Sequence, residues 1–206
     1  MFNFNIQNFI PKKNHNNILV AYDIKNEDLF KNIKIINYNN FDNSCDLFLD
    51  NIQINFNENY EFKKEGIYTF KFDFKDNKIK NLKKLFSNCY NLISLDFSKF
   101  ISDEVTDMSY MFYYCQLLQS VNLTNFKTDN VKDFKFMFFE CNSLELLDLT
   151  NLNFNNIFDF RFMFNGCEKL KNLYLPLYEM ENKKYDKMFD YCVSLEMDEK
   201  MKQLVQ

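Results

Sequence analysis

The chain has 206 residues, 47% of them apolar, which suits one folded domain or a small cap joined to a repeat array. A net charge of −4 with a pI near 5.2 argues against a nucleic-acid binder, which needs a basic face to displace counterions from phosphates. No apolar run approaches the 18 or so residues of a membrane span, and the only two glycines, Gly66 and Gly166, are too far apart to build a phosphate loop.

In chain order, the first ten residues are broken by Asn3, Asn5, Gln7 and Asn8, and the lysines come after rather than before them, which is not a signal-peptide pattern. Residues 1–80 carry no repeat and read as a β-rich N-terminal capping region. Its β-prone runs are Ile18–Tyr22, Ile33–Ile36, Leu47–Leu49, Ile52–Phe56 and Ile67–Phe74, separated by Asn, Asp and Lys clusters. In the last run Tyr68, Phe70, Phe72 and Phe74 share one face, and Thr69, Lys71 and Asp73 the other. A lysine-rich junction at 75–84 has no Pro- or Ser-rich linker, which predicts a cap packed rigidly on the first repeat.

From residue 81 to 206 the chain repeats. Leu85-Phe86-Ser87-Asn88-Cys89 is succeeded by Met111–Cys115, Met137–Cys141, Met163–Cys167 and Met188–Cys192, so the cysteines recur at spacings of 26, 26, 26 and 25. A fixed period of this length is the signature of a solenoid. Within a unit, Val131, Phe134, Met137, Phe138, Cys141 and Leu144 have helical spacing, and Asn130 with Asp133, or Asn156 with Asp159, resembles a capped helix start. The period then drops to two, with Leu147 and Leu149 inward and Leu146, Asp148 and Thr150 outward, as in a short strand. The expected fold is therefore α/β: about five 26-residue units, each a short helix plus a short parallel strand. Stacking would align Phe86, Phe112, Phe138, Phe164 and Phe189 as one core ladder, and Leu92, Leu118, Leu144, Leu170 and Leu195 as another. The fourth unit departs at Pro176–Lys183, where a looser loop is expected. Apolar residues at Met197, Met201, Leu204 and Val205 predict a short closing helix.

The copy from Cys115 to Cys141, with Leu118, Val121-Asn122-Leu123-Thr124-Asn125-Phe126, Thr128, Asn130-Val131, Asp133 and Met137-Phe138, resembles the BspA-like leucine-rich-repeat surface proteins. That repeat is also found in mycoplasma-type lipoproteins. The resemblance spans residues 85–195. It implies a parallel-sheet solenoid used for adhesion or protein binding at the cell surface, and it implies no catalysis. Cytoplasmic placement is the competing expectation, from the missing signal peptide and from cysteines that read as structural free thiols, one per unit.

Catalytic chemistry finds little to work with. His15 is the only histidine and sits in a polar segment, so an activated nucleophile would lack a base. Cysteines 26 apart do not have zinc-ligand spacing. Cys45 has acidic Asp46 beside it, which disfavours a reactive thiolate. Asp103, Glu104, Asp107, Asp129 and Asp133 suit turns and caps, and the sequon Asn122-Leu123-Thr124 falls on a predicted strand. No catalytic, cofactor-binding or metal-binding residue is assigned, and no cofactor is expected. The remaining candidate is the outward strand face, Ser94, Asp96, Ser120, Asn122, Leu146, Asp148, Asn172 and Tyr174, expected either to bind a protein partner or to be plain solvated sheet.

Overall fold

The computed structural model describes residues 16–37, 45–75, 79–177, 180 and 182–204. His15 and the first ten residues lie outside them, as do 178, 179 and 181 within the expected loop at Pro176–Lys183. The strands are β1 (Asn16–Ile24), β2 (Asn32–Lys34), β3 (Cys45–Leu49), β4 (Ile52–Ile54), β5 (Asn59–Glu61), β6 (Gly66–Phe74), β7 (Leu92–Asp96), β8 (Ser120–Asn122), β9 (Leu146–Asp148) and β10 (Asn172–Tyr174). One α-helix, α1 (Glu199–Leu204), occurs among the described residues. No helix there is long and apolar enough to cross a membrane.

A six-stranded mixed sheet runs β4-β3-β6-β1-β7-β8. β1 is its pivot, antiparallel to β6 on one side and to β7 on the other, and it is buried along nearly its whole length. The alternation in β6 places Phe70, Phe72 and Phe74 in the core. Phe72 then meets Phe86, the first rung of the repeat ladder, with ring centroids 6.1 Å apart. The N-terminal sheet and the repeats thus share one core.

The expected α/β solenoid of helix-plus-strand units is overturned, because the segment read as a helix is a run of turns. In the unit around Cys141, the N–H groups of Met137, Phe139 and Cys141 donate three residues back, to the carbonyls of Phe134, Phe136 and Phe138. The N–H groups between them, on Phe136, Phe138 and Glu140, donate to Arg161, Met163 and Asn165 of the next unit at 2.8–3.0 Å. An α-helix commits every interior N–H to the carbonyl four residues back and has none left for a neighbour. The alternation needs left-handed residues, and each unit has two, four apart: Lys84/Asn88, Tyr110/Tyr114, Phe136/Glu140, Phe162/Gly166 and Lys187/Tyr191. For Tyr and Phe such φ values are unfavourable by about 1–2 kcal/mol each, so the inter-unit bonds and packing must offset them. Phe134, Met137, Phe138 and Cys141 are all fully buried. Their helical spacing reports which side faces the core, and a coil of turns meets that demand as well as a helix does.

The caps expected at Asn130 and Asn156 have other roles. Asn130 Nδ2 donates to the Asp103 carbonyl and Asn156 Nδ2 to the Asp129 carbonyl, both at 2.7 Å, tying each unit to the one before. Asp107, Asp133 and Asp159 each accept the N–H two residues on, an Asx turn that starts the coil. The cysteine column is built similarly. Cys115, Cys141, Cys167 and Cys192 donate their thiols to the carbonyls of Phe86, Phe112, Phe138 and Phe164, at 3.0–3.2 Å. All six cysteines are free.

Candidate functional site

The strand face is built by short parallel pairs, β7 with β8 and β9 with β10. Ser120, Asn122, Leu146, Asp148, Asn172 and Tyr174 lie exposed on it, with Leu146 53% and Tyr174 50% exposed. Register places Leu146 beside Asn172 and Asp148 beside Tyr174. Ser94 corrects the expectation of an open face over the first strand: it pairs with Ala21 of β1 and is only 6% exposed. Asp96, opposite Leu19, is half-buried. Nothing in the sequence marks which edge of the repeat array β1 will occupy.

Three of these residues also shape the backbone. Asp96, Asn122 and Asp148 accept the N–H two residues on, from Ser98, Thr124 and Thr150, at 2.8–3.1 Å, ending each strand in an Asx turn. Asn122 Nδ2 also reaches Asp96 at 3.0 Å, so the sequon asparagine is already engaged. At the equivalent place Tyr174 carries an aromatic ring. Between β8 and β9 no ladder forms, and the two strand pairs belong to separate sheets. The separation leaves a shallow cleft of about 320 Å³ lined by Ser120, Asn122, Thr124, Leu146, Asp148 and Asn151. Val121, Leu123 and Leu147 also line it, Leu146 being the exposed one of its apolar residues, so the cleft can take backbone or side-chain hydrogen bonds and an aliphatic or aromatic anchor.

A second surface is not evident from the sequence, where the repeat phenylalanines read as core. On the coil side, Tyr110, Phe136 and Phe162 form a half-buried column with centroids 4.7 and 4.6 Å apart and planes within 9°. Lys84 stands over its first ring at 5.6 Å and Lys187 over its last at 5.7 Å. Tyr113 stacks on Phe139 beside it at 5.1 Å. Desolvation raises the Tyr113 phenol pKa, helped by neighbouring Tyr114 and Tyr110. The rings use their faces on one another, at the spacing of adjacent strands, and present edges outward. The available signal was the recurrence of aromatics at 110, 136 and 162, one ladder away from the cysteines.

Chemistry elsewhere is sparse. Cys45 is buried on β3 with its thiol pKa pushed up to about 12, by desolvation first and then by Asp73 and Asp46. Cys89 is likewise raised to about 12, chiefly by burial. Among the acidic residues, Asp103 pairs with Lys127 at 2.6 Å and Asp129 accepts from Asn153. No group of three His, Cys, Asp or Glu among the described residues could hold a metal ion.

No curated protein and no solved structure matches the chain. A family model described as "Mycoplasma protein of unknown function, DUF285" matches residues 50–176 and again 80–202. The two matches end one 26-residue repeat apart, as sliding along the period would give. The first starts within the N-terminal sheet, between β3 and β4, and the second at the first repeat; together they take in every repeat, and on this span the chain belongs to the family of Mycoplasma proteins of unknown function, DUF285.

Proposed function

We propose that the chain is a non-catalytic protein-binding or adhesion module that engages its partner through the strand face, in keeping with its resemblance to BspA-like surface proteins. The observation carrying this reading is the cluster of Leu146 and Tyr174, each about half exposed, on adjacent hydrogen-bonded strands among Asn122, Asp148 and Asn172. An apolar and an aromatic anchor within a polar rim is the pattern of an interface hot spot. The backbone beneath is held by paired strands and Asx turns, so little ordering cost would remain on binding. A second reading, an intracellular scaffold, is favoured by the six free cysteines, since unpaired thiols suit a reducing compartment.

A photo-crosslinking residue placed at 174 tests the binding face, with the same residue at exposed Tyr90 as the off-face control. The expected result is a discrete crosslinked protein from position 174 alone, lost when Leu146 is changed to Ala. Equal capture from both positions would remove the strand face as the site. Protease treatment of intact and lysed source cells separates the two placements: digestion from outside supports the surface protein, and protection until lysis the scaffold.

A further inference from the structure

The coil of every unit uses a fixed row of backbone donors to hold the next unit. Lys84, Phe86 and Asn88 donate to Ser109, Met111 and Tyr113; Tyr110, Phe112 and Tyr114 donate to Lys135, Met137 and Phe139. Phe136, Phe138 and Glu140 donate to the third such set, and Phe162, Phe164 and Gly166 to the fourth, all at 2.8–3.1 Å. The corresponding donors of the last unit are the N–H groups of Lys187, Phe189 and Tyr191. That unit has the same left-handed pair at 187 and 191 and the same local turns, Met188 to Tyr185 and Cys192 to Phe189. Its three donors meet no acceptor among the described residues. Lys187 and Phe189 line a groove of about 540 Å³ formed by residues 183–190 with Met197 and Leu204 on its far wall, and Tyr191 follows directly on its Asp190 end. The Lys187 ammonium is turned towards the Phe162 ring.

We propose that this row is a docking edge for an extended peptide segment of a partner polypeptide, which adds as one further parallel layer through carbonyls at alternate residues. The occupant's chemistry is set by the four filled copies of the same edge, each of which takes three backbone carbonyls spaced two residues apart. A second copy of this chain does not fit, because its own acceptor edge is closed. Of the three carbonyls in the equivalent row of the first unit, Lys83, Leu85 and Ser87, the Leu85 carbonyl receives the Asn37 N–H at 2.7 Å and the Ser87 carbonyl receives Asn37 Nδ2 at 2.9 Å. The groove holds a few extended residues and not a full 26-residue unit while α1 is in place.

Amide hydrogen exchange of the whole protein, monitored by NMR, tests this. The probe is a synthetic peptide of residues 133–142 with Ser in place of Cys141, which carries the carbonyls that Tyr110, Phe112 and Tyr114 recognise. In free protein the amides of Lys187, Phe189 and Tyr191 should exchange faster than those of Phe162, Phe164 and Gly166, and saturating peptide should slow them by roughly tenfold or more. Protection of the three amides without peptide would show the edge already closed and overturn the proposal. Protection that rises with protein concentration alone would identify a second copy, and protection confined to the β4 edge a different site; either overturns it. So would the absence of any effect at millimolar peptide.

Discussion

Phe138→Ala probes the stacking of units most directly. Phe138 is fully buried and sits mid-ladder, with Phe112 at 5.2 Å and 25° on one face and Phe164 at 5.7 Å and 10° on the other. Truncating a buried Phe costs about 3–5 kcal/mol through lost transfer energy and the cavity left behind. Two ring partners, each adding about 0.5–1.5 kcal/mol, put this site in the upper half of that range. The backbone bond from Phe138 to Met163 holds the neighbouring unit at a fixed distance and resists collapse into the void. A loss of about 4–5 kcal/mol with a urea m-value of about 2 kcal/mol/M moves the midpoint down by roughly 2 M. Urea titration read by far-ultraviolet circular dichroism measures this, with Phe158→Ala as control, since Phe158 is 63% exposed and its loss should stay within about 0.5 kcal/mol. Equal midpoints for Phe138→Ala and wild type would refute the continuous ladder as the source of cohesion.

Thiol chemistry gives a second check. Burial raises the Cys89 and Cys192 thiols to about 12, so the folded chain keeps them protonated where the unfolded chain, near pKa 9.0, ionises them. The folded pKa lies above the unfolded one, so their contribution is complete below pH 9 and falls as pH rises from 9 towards 12. Denaturation midpoints should therefore drop across that alkaline window, and Ellman's reagent at pH 8 should react only after unfolding; rapid reaction of the native protein would contradict the buried column. Asn37→Ala removes the amide that serves the carbonyls of Lys84 and Ser87 and should destabilise by about 1–3 kcal/mol. Calorimetry should show the melting temperature lowered by several degrees, and an unchanged melt would mean that water replaces Asn37 at no cost.

A residue is legible in the sequence when it answers to a single physical demand. The cysteine, Phe and Leu series recur because each must sit under its counterpart in the next unit, and burial alone shows this in the sequence. The direction of the backbone between them does not show. Phe134, Met137, Phe138 and Cys141 have the spacing of a helical face, yet the bonds that decide the conformation run from Phe136, Phe138 and Glu140 to residues of another unit. Helical periodicity tests side-chain burial and is blind to the destination of the N–H groups. A clue lay in Tyr110, Phe136 and Phe162, aromatics at one register that a buried helix face would not need, and they prove to be left-handed residues stacked on the surface. For the candidate site, exposure of Leu146 and Tyr174 was legible from strand alternation, whereas burial of Ser94 depends on β1 crossing from residues 16–24 to lie along β7.

The polarity of the coil explains why its two ends need different closures. Every unit directs its alternate N–H groups towards the next one, so among the described residues the first unit's carbonyls and the last unit's donors have no neighbouring unit to pair with. At the first end, one Asn supplies both a backbone and a side-chain donor, and Phe72 of β6 covers the opening Phe of the ladder. At the other end the apolar task falls to α1, whose Met201 is buried with Met197 and Leu204 packed beside the core. The polar task is not met by α1: among the described residues none of its carbonyls accepts from Lys187, Phe189 or Tyr191. Capping apolar surface and capping backbone donors are thus separate problems here. Among the described residues the second is left open at Lys187, Phe189 and Tyr191, the first two on the wall of the groove, which is why an acceptor-bearing strand is the ligand proposed for this end of the molecule.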